Sequence, residues 1–170
     1  NKNKNDYYTK RAKEQSTNVT KKIKKVGESV GLEVKHINDL DINSMYAEYA
    51  PCQYNDSIFF FAGVRPLDAK LADTSFIYAN YLTRVIQATR RNDSTWSNVK
   101  VVSSLIDPNA HVNNLSFTRD GKTAYFSKCF GYNCSIYKAD FDPKFLDFSN
   151  VTKLPAPINM AQTSNTTPQI

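Results

Sequence analysis

The feature that most constrains the fold is the run 113–140, where turn residues separate three short stretches of alternating character. Leu115 and Phe117 alternate with polar neighbours, as a half-buried strand requires. Asp120-Gly121 supplies residues that tolerate the positive φ of a tight hairpin. Ala124, Tyr125 and Phe126 run back, and after Cys129 to Cys134 a third strand opens with Ile136 and Tyr137. A meander of this size cannot bury both of its faces alone and must be one unit of a larger β assembly.

A second meander precedes it. Short strands are expected at 50–54, 57–62, 78–89 (starting at Tyr78 or Tyr81) and 99–103, with Asn55-Asp56 and Asn92-Asp93-Ser94 as turns. Pro66 excludes the connection 63–73 from any central strand. The later meander reads as strands at 114–118, 123–128, 135–141 and 150–154. Four-stranded units repeated every ~40–55 residues are the sequence footprint of propeller blades. The joints repeat as well: Ile42-Asn43 leads to Pro51, and Ile158-Asn159 leads to Pro168, with a weaker match at Ile106-Asp107. Upstream, residues 5–30 carry a helical stripe of Tyr8, Ala12, Val19, Ile23, Val26 and Val30. Leu32 to Ile37 alternates strictly, as a strand does.

The expected fold is therefore mainly β. It is a β-propeller segment of four-stranded antiparallel blades, about two blades and the start of a third. Residues 1–31 form a helical linker or the end of a helical repeat region, and 32–170 the propeller segment. The blades are placed at about 46–104 and 111–155, with the next starting near 165. Such boundaries imply an ordered fragment or processed piece of a longer protein.

The segment Phe117-Thr118-Arg119-Asp120-Gly121-Lys122-Thr123-Ala124-Tyr125-Phe126-Ser127, followed by Ser135-Ile136-Tyr137, resembles the repeat of TolB-type, WD-like propellers. The lead-in Ile42, Asn43, Ser44, Glu48, Ala50, Pro51 resembles the joint in Bacteroidota envelope proteins of the OmpA family, PorE-type, which carry such a propeller. Thr118-Arg119 departs from the usual Ser-Pro, and Lys128-Cys129-Phe130-Gly131 from the usual turn. The resemblance gives Asn43, Pro51, Phe117, Asp120, Gly121, Tyr125, Phe126, Ile136 and Tyr137 structural roles in the blade. It implies a periplasmic or outer-membrane-associated location and a place in a type 9 secretion, gliding or peptidoglycan-associated assembly.

The net charge of +6 is concentrated in the first 25 residues. A basic helix can bind nucleic acid or anionic lipid, but no aromatic residues are interleaved for base stacking. A solvated linker face fits better, and no nucleic-acid partner or membrane span is expected. Cys52, Cys129 and Cys134 are too few and too scattered for zinc. Cys129 and Cys134 flank a hairpin end, where either a disulfide or two thiols would fit; a disulfide would call for an oxidising compartment. Asn-x-Ser/Thr sequons recur, as composition rich in Asn, Ser and Thr makes them do.

Catalytic chemistry is missing from the pattern. His111 reads as a solvated histidine in an interblade loop, and Glu48 and Asp120 fall in a joint and a turn. No nucleophile elbow, P-loop, zincin motif or calcium loop occurs, so no catalytic, metal or cofactor residues are assigned. Phe59, Phe60 and Phe61 are expected to pack between blades on both faces of a central strand. Tyr78, Tyr81 and Tyr132, near loops, are the interface candidates, since aromatic side chains give contact area at small entropic cost. The expected function is a non-enzymatic protein-interaction scaffold in a Gram-negative envelope. Its partners are other envelope proteins and whatever covers the open blade edge, the rest of the propeller included. The alternative is a ligand- or carbohydrate-sensing propeller, attached to a hydrolase outside this chain.

Overall fold

The computed structural model describes Lys10, Lys13, Glu14, Thr17 and residues 42–44, 46–65, 81–92 and 95–170. Two compact units divide the chain, Asn1–Ile37 and Asn38–Ile170. In the first, the four described residues have helical backbone, and the Thr17 hydroxyl donates to the Lys13 carbonyl at 2.9 Å. The remainder of the helical reading, the strand read at 32–37, and Tyr78 lie outside the described residues.

The second unit holds two four-stranded antiparallel sheets, each in simple meander order. Strands β1 (Glu48–Gln53), β2 (Ile58–Val64), β3 (Thr83–Arg90) and β4 (Trp96–Val101) form the first. The second comprises β5 (His111–Phe117), β6 (Thr123–Phe130), β7 (Asn133–Asp142) and β8 (Asp147–Lys153). Both are consistent with propeller blades. Short polar side chains close their turns on the backbone. Asn55 Oδ1 accepts the N–H groups of Ser57 and Ile58 at 2.9 and 2.8 Å, and Asp120 Oδ1 accepts that of Lys122 at 3.1 Å. Asn92 Oδ1 likewise accepts the Thr95 N–H at 3.0 Å, so β4 begins at Trp96, earlier than the expected position 99.

Positive φ marks matching places in the two sheets. Ala50 (φ 50) and Asn114 (φ 55) sit where the first strand of each sheet, β1 and β5, shifts register against β2 and β6. Asn98 (φ 51) and Asn150 (φ 52) do the same in the last strands, β4 and β8. These are bulges, and asparagine tolerates the left-handed region better than most residues. Thr167 (φ 58), just before Pro168, repeats the placement of Ala50 before Pro51.

The sheets are held together by one apolar core. Phe60, fully buried, meets Phe117 at 5.4 Å, Phe141 at 5.8 Å and Phe148 at 5.9 Å between ring centroids. Val85, Val102, Leu105, Val112, Leu115, Ala124, Phe126 and Ala139 complete this layer. Its neighbours in β2 point the other way, as period two requires. Phe61 joins Ile42, Ile86 and Ala88, with Phe59 and Trp96 packed alongside.

Candidate functional site

The β6–β7 hairpin turns on Gly131 (φ 58) and Tyr132, between the paired Phe130 and Asn133. Positive φ at the first central residue alone is the signature of a type II′ turn, which matches the twist of its strands. Open space surrounds the Gly131 α-carbon, so the glycine is there for the backbone rather than for packing. One ladder pair below the tip, Cys129 and Cys134 are cross-strand partners joined by a disulfide. Above it the aromatic rings are left in solvent: Tyr132 is 99 % and Phe130 48 % exposed.

The hairpin is braced from three sides. Lys128 sets its ammonium over the rings of Phe130 and Tyr137, 5.8 and 5.4 Å from their centroids. The same ammonium reaches Asp107 Oδ2 at 2.6 Å, and this hydrogen-bonded partner holds the Asp107 carboxyl below its ordinary range. The Ser164 hydroxyl donates to the Tyr132 carbonyl at 3.0 Å and accepts the Cys134 N–H at 3.1 Å. Beyond the end of β8, residues 154–165 take its place beside β7. The Asn159 side-chain amide accepts the Ile136 N–H at 2.8 Å and donates to the carbonyls of Ile136 and Leu154 at 2.8 and 2.7 Å. Next along the strand, Asn165 N–H donates to the Cys134 carbonyl at 2.9 Å.

Of the tyrosines expected at an interface, Tyr132 is fully in solvent, while Tyr81 is half-buried with its ring edge-on to Tyr46 at 6.0 Å. Phe117 stands in the core between the sheets, and Phe126 stacks on Tyr137 at 6.0 Å. Tyr125 lies on β6 opposite Ser116, and Ile136 is buried on β7. Asn43 and Pro51 are exposed at the first joint. Glu48 accepts hydrogen bonds from the Ser44 hydroxyl and N–H and pairs with Arg65 at 3.3 Å, which fixes that joint.

His111 corrects the loop reading. It is the first residue of β5, opposite Cys129, and its Nδ1 accepts the Thr83 N–H at 3.0 Å, tying β5 to β3 across the two sheets. Burial, then the nearby Arg84 charge, lowers its pKa. The Tyr49 hydroxyl extends this polar seam, donating to Thr83 Oγ1 at 3.3 Å and accepting from Asn113 Nδ2 at 3.1 Å.

At the opposite end of the sheets, an open cleft of about 460 Å³ runs between the β1–β2 and β5–β6 turns. Gln53, Tyr54, Asn55, Thr118, Arg119 and Asp120 line it. Cys52 also lines the cleft, and burial raises its thiol pKa, away from the reactive thiolate form. Among the described residues no His, Cys, Asp or Glu cluster is placed to hold a metal ion, and no helix is long and apolar enough to cross a membrane.

The chain matches no protein-family model, no curated protein and no solved structure. The fold and the tip thus define a class by geometry alone: paired four-stranded antiparallel sheets presenting a cross-linked aromatic hairpin.

Proposed function

We propose that this chain is a non-enzymatic protein-interaction scaffold of a Gram-negative cell envelope, exported to the periplasm or outer membrane, and a member of a TolB-type propeller family. The observation that carries the reading is the Phe130–Tyr132 tip. Two large rings stand in solvent on a turn fixed by a disulfide, a glycine and the Ser164 hydroxyl. An anchor whose conformation is set in advance loses little entropy on docking. Aromatic anchors of this kind dominate many protein interfaces. The disulfide supports an oxidising, extracytoplasmic compartment. Assembly with a type 9 secretion, gliding or peptidoglycan-associated complex is the most specific form of the proposal.

The test is a photoreactive residue at position 132 in native envelope, with a second at position 144 as control. Adducts to one envelope protein from position 132, absent from 144, would bear the scaffold out. Adducts confined to the chain itself would remove it. The cleft beside Tyr54, lined by amide, hydroxyl and guanidinium groups, favours a second reading as a carbohydrate sensor. Glycan-array binding abolished by Arg119→Ala would move the assignment there.

A further inference from the structure

We propose that the Cys129–Cys134 disulfide is a redox latch that holds residues 159–167 against the second sheet. Cys134 faces β6 with its sulfur, while its backbone N–H and carbonyl point to the other side, toward Ser164 and Asn165. The cross-link therefore fixes a residue whose two backbone groups both hold the segment, as those of Ile136 hold Asn159 two positions further along β7. Further along, the Thr167 N–H donates to the Ser127 hydroxyl at 3.1 Å, and Ser127, fully buried, lies two residues before Cys129 on the same strand. The disulfide thus stands between two anchoring points of the segment.

Cys129 and Cys134 are buried in the closed hairpin, so a reductant reaches the sulfurs only when the hairpin end opens. A single ladder pair, Phe130 with Asn133, separates them from an exposed turn. Ends of hairpins open at low free-energy cost compared with strand centres. A dithiol reductant entering there transfers two electrons and two protons to the Cys129–Cys134 bond. Two thiols form, and the reductant closes to its own disulfide. The reduced hairpin keeps its turn but loses the covalent rung beneath it, and Cys134 becomes free to separate from β6. Ser164 and Asn165 lose their fixed partner, and the segment lifts. The device stands whether or not Tyr132 meets a partner.

The experiment is amide hydrogen exchange on the full chain, oxidised, after excess dithiothreitol, and after reoxidation. The Asn165 and Thr167 amides are expected to exchange at least about tenfold faster when reduced, a change of ~1.4 kcal/mol in local opening. The amides of β2 and β3 should not change, and reoxidation should restore the first rates. The Cys129→Ala/Cys134→Ala chain should exchange fast at both positions with or without dithiothreitol. Unchanged rates at Asn165 and Thr167 in the reduced protein would overturn the latch. So would uniform acceleration across both sheets, which marks a general stabiliser, or a disulfide that resists reduction in the folded chain.

Discussion

The ring of Tyr54 rests directly on the α-carbon of Gly121. A Cβ built there would stand 2.9 Å from both Cε2 and the hydroxyl oxygen of Tyr54. Tyr54 extends from the first sheet, Gly121 turns the second, and the tyrosine ring also meets Phe117 at 4.9 Å and Phe141 at 4.8 Å. The glycine is thus constrained twice, by its φ of 68 and by the neighbour above it.

Gly121→Ala is accordingly expected to destabilise the chain by about 2–4 kcal/mol, the sum of a left-handed backbone penalty and overpacking. Urea denaturation of Gly121→Ala, Tyr54→Ala and the double variant checks it. The two changes should be non-additive, since removing the ring removes the clash. Additive losses would show that the ring and the glycine are not in conflict.

Phe60 is the centre of the layer between the sheets. Phe60→Ala should cost about 3–5 kcal/mol through lost burial and an unfilled cavity, and Phe60→Asp should abolish folding. Phe145, well exposed on the β7–β8 turn, is the control, and Phe145→Ala should change stability by less than about 0.5 kcal/mol. A folded Phe60→Asp protein would refute the core assignment.

The His111 contact to Thr83 predicts a pH dependence. As an acceptor, Nδ1 must be unprotonated, and the lowered pKa means that the unfolded chain binds a proton more readily than the folded one. The contribution to stability is therefore full above the unfolded value of about 6.5 and is lost as pH falls through the native value. Urea midpoints across this range should fall more steeply in the wild type than in His111→Gln. Parallel curves would mean that the imidazole is not the titrating group.

Asn159→Ala removes three hydrogen bonds and leaves the backbone groups of Ile136 without their side-chain partner. A loss of about 1–3 kcal/mol is expected, with faster exchange at the Ile136 amide. Protection at Ile136 equal to the wild type would show that another group holds it.

The Tyr132 side chain stands in solvent. Tyr132→Ser should leave the stability within about 0.5 kcal/mol of wild type and abolish the adducts formed in native envelope by a photoreactive residue placed at position 130. A large loss of stability would mean that the ring packs within the chain.

Sheet number and order were readable because alternation, Asp120-Gly121 and the Ile-Asn joints are local signals. One other regularity lies in the sequence. Ser97-Asn98-Val99 after Trp96 and Ser149-Asn150-Val151 after Phe148 repeat the same bulge in the last strands, β4 and β8. His111 misled because a polar histidine after Pro108-Asn109 looks like loop, and only the partner strand shows that it faces Thr83. The brace on the hairpin was invisible for a related reason: Ser164 and Asn159 act on residues more than twenty positions away. Phe130 is not among the expected interface residues, although its place beside a glycine turn is a usable hint of exposure.

The bulges at Asn98 and Asn150 have a consequence for life in a crowded compartment. A straight outer strand offers an unbroken row of amide and carbonyl groups on which any stray extended chain can nucleate growth. By kinking that row in its middle, each asparagine leaves too short a template for another polypeptide to extend, and Lys153 adds charge at the end of β8. The protein can thus be rich in β-strand at high local concentration while remaining a poor seed for fibrous assembly.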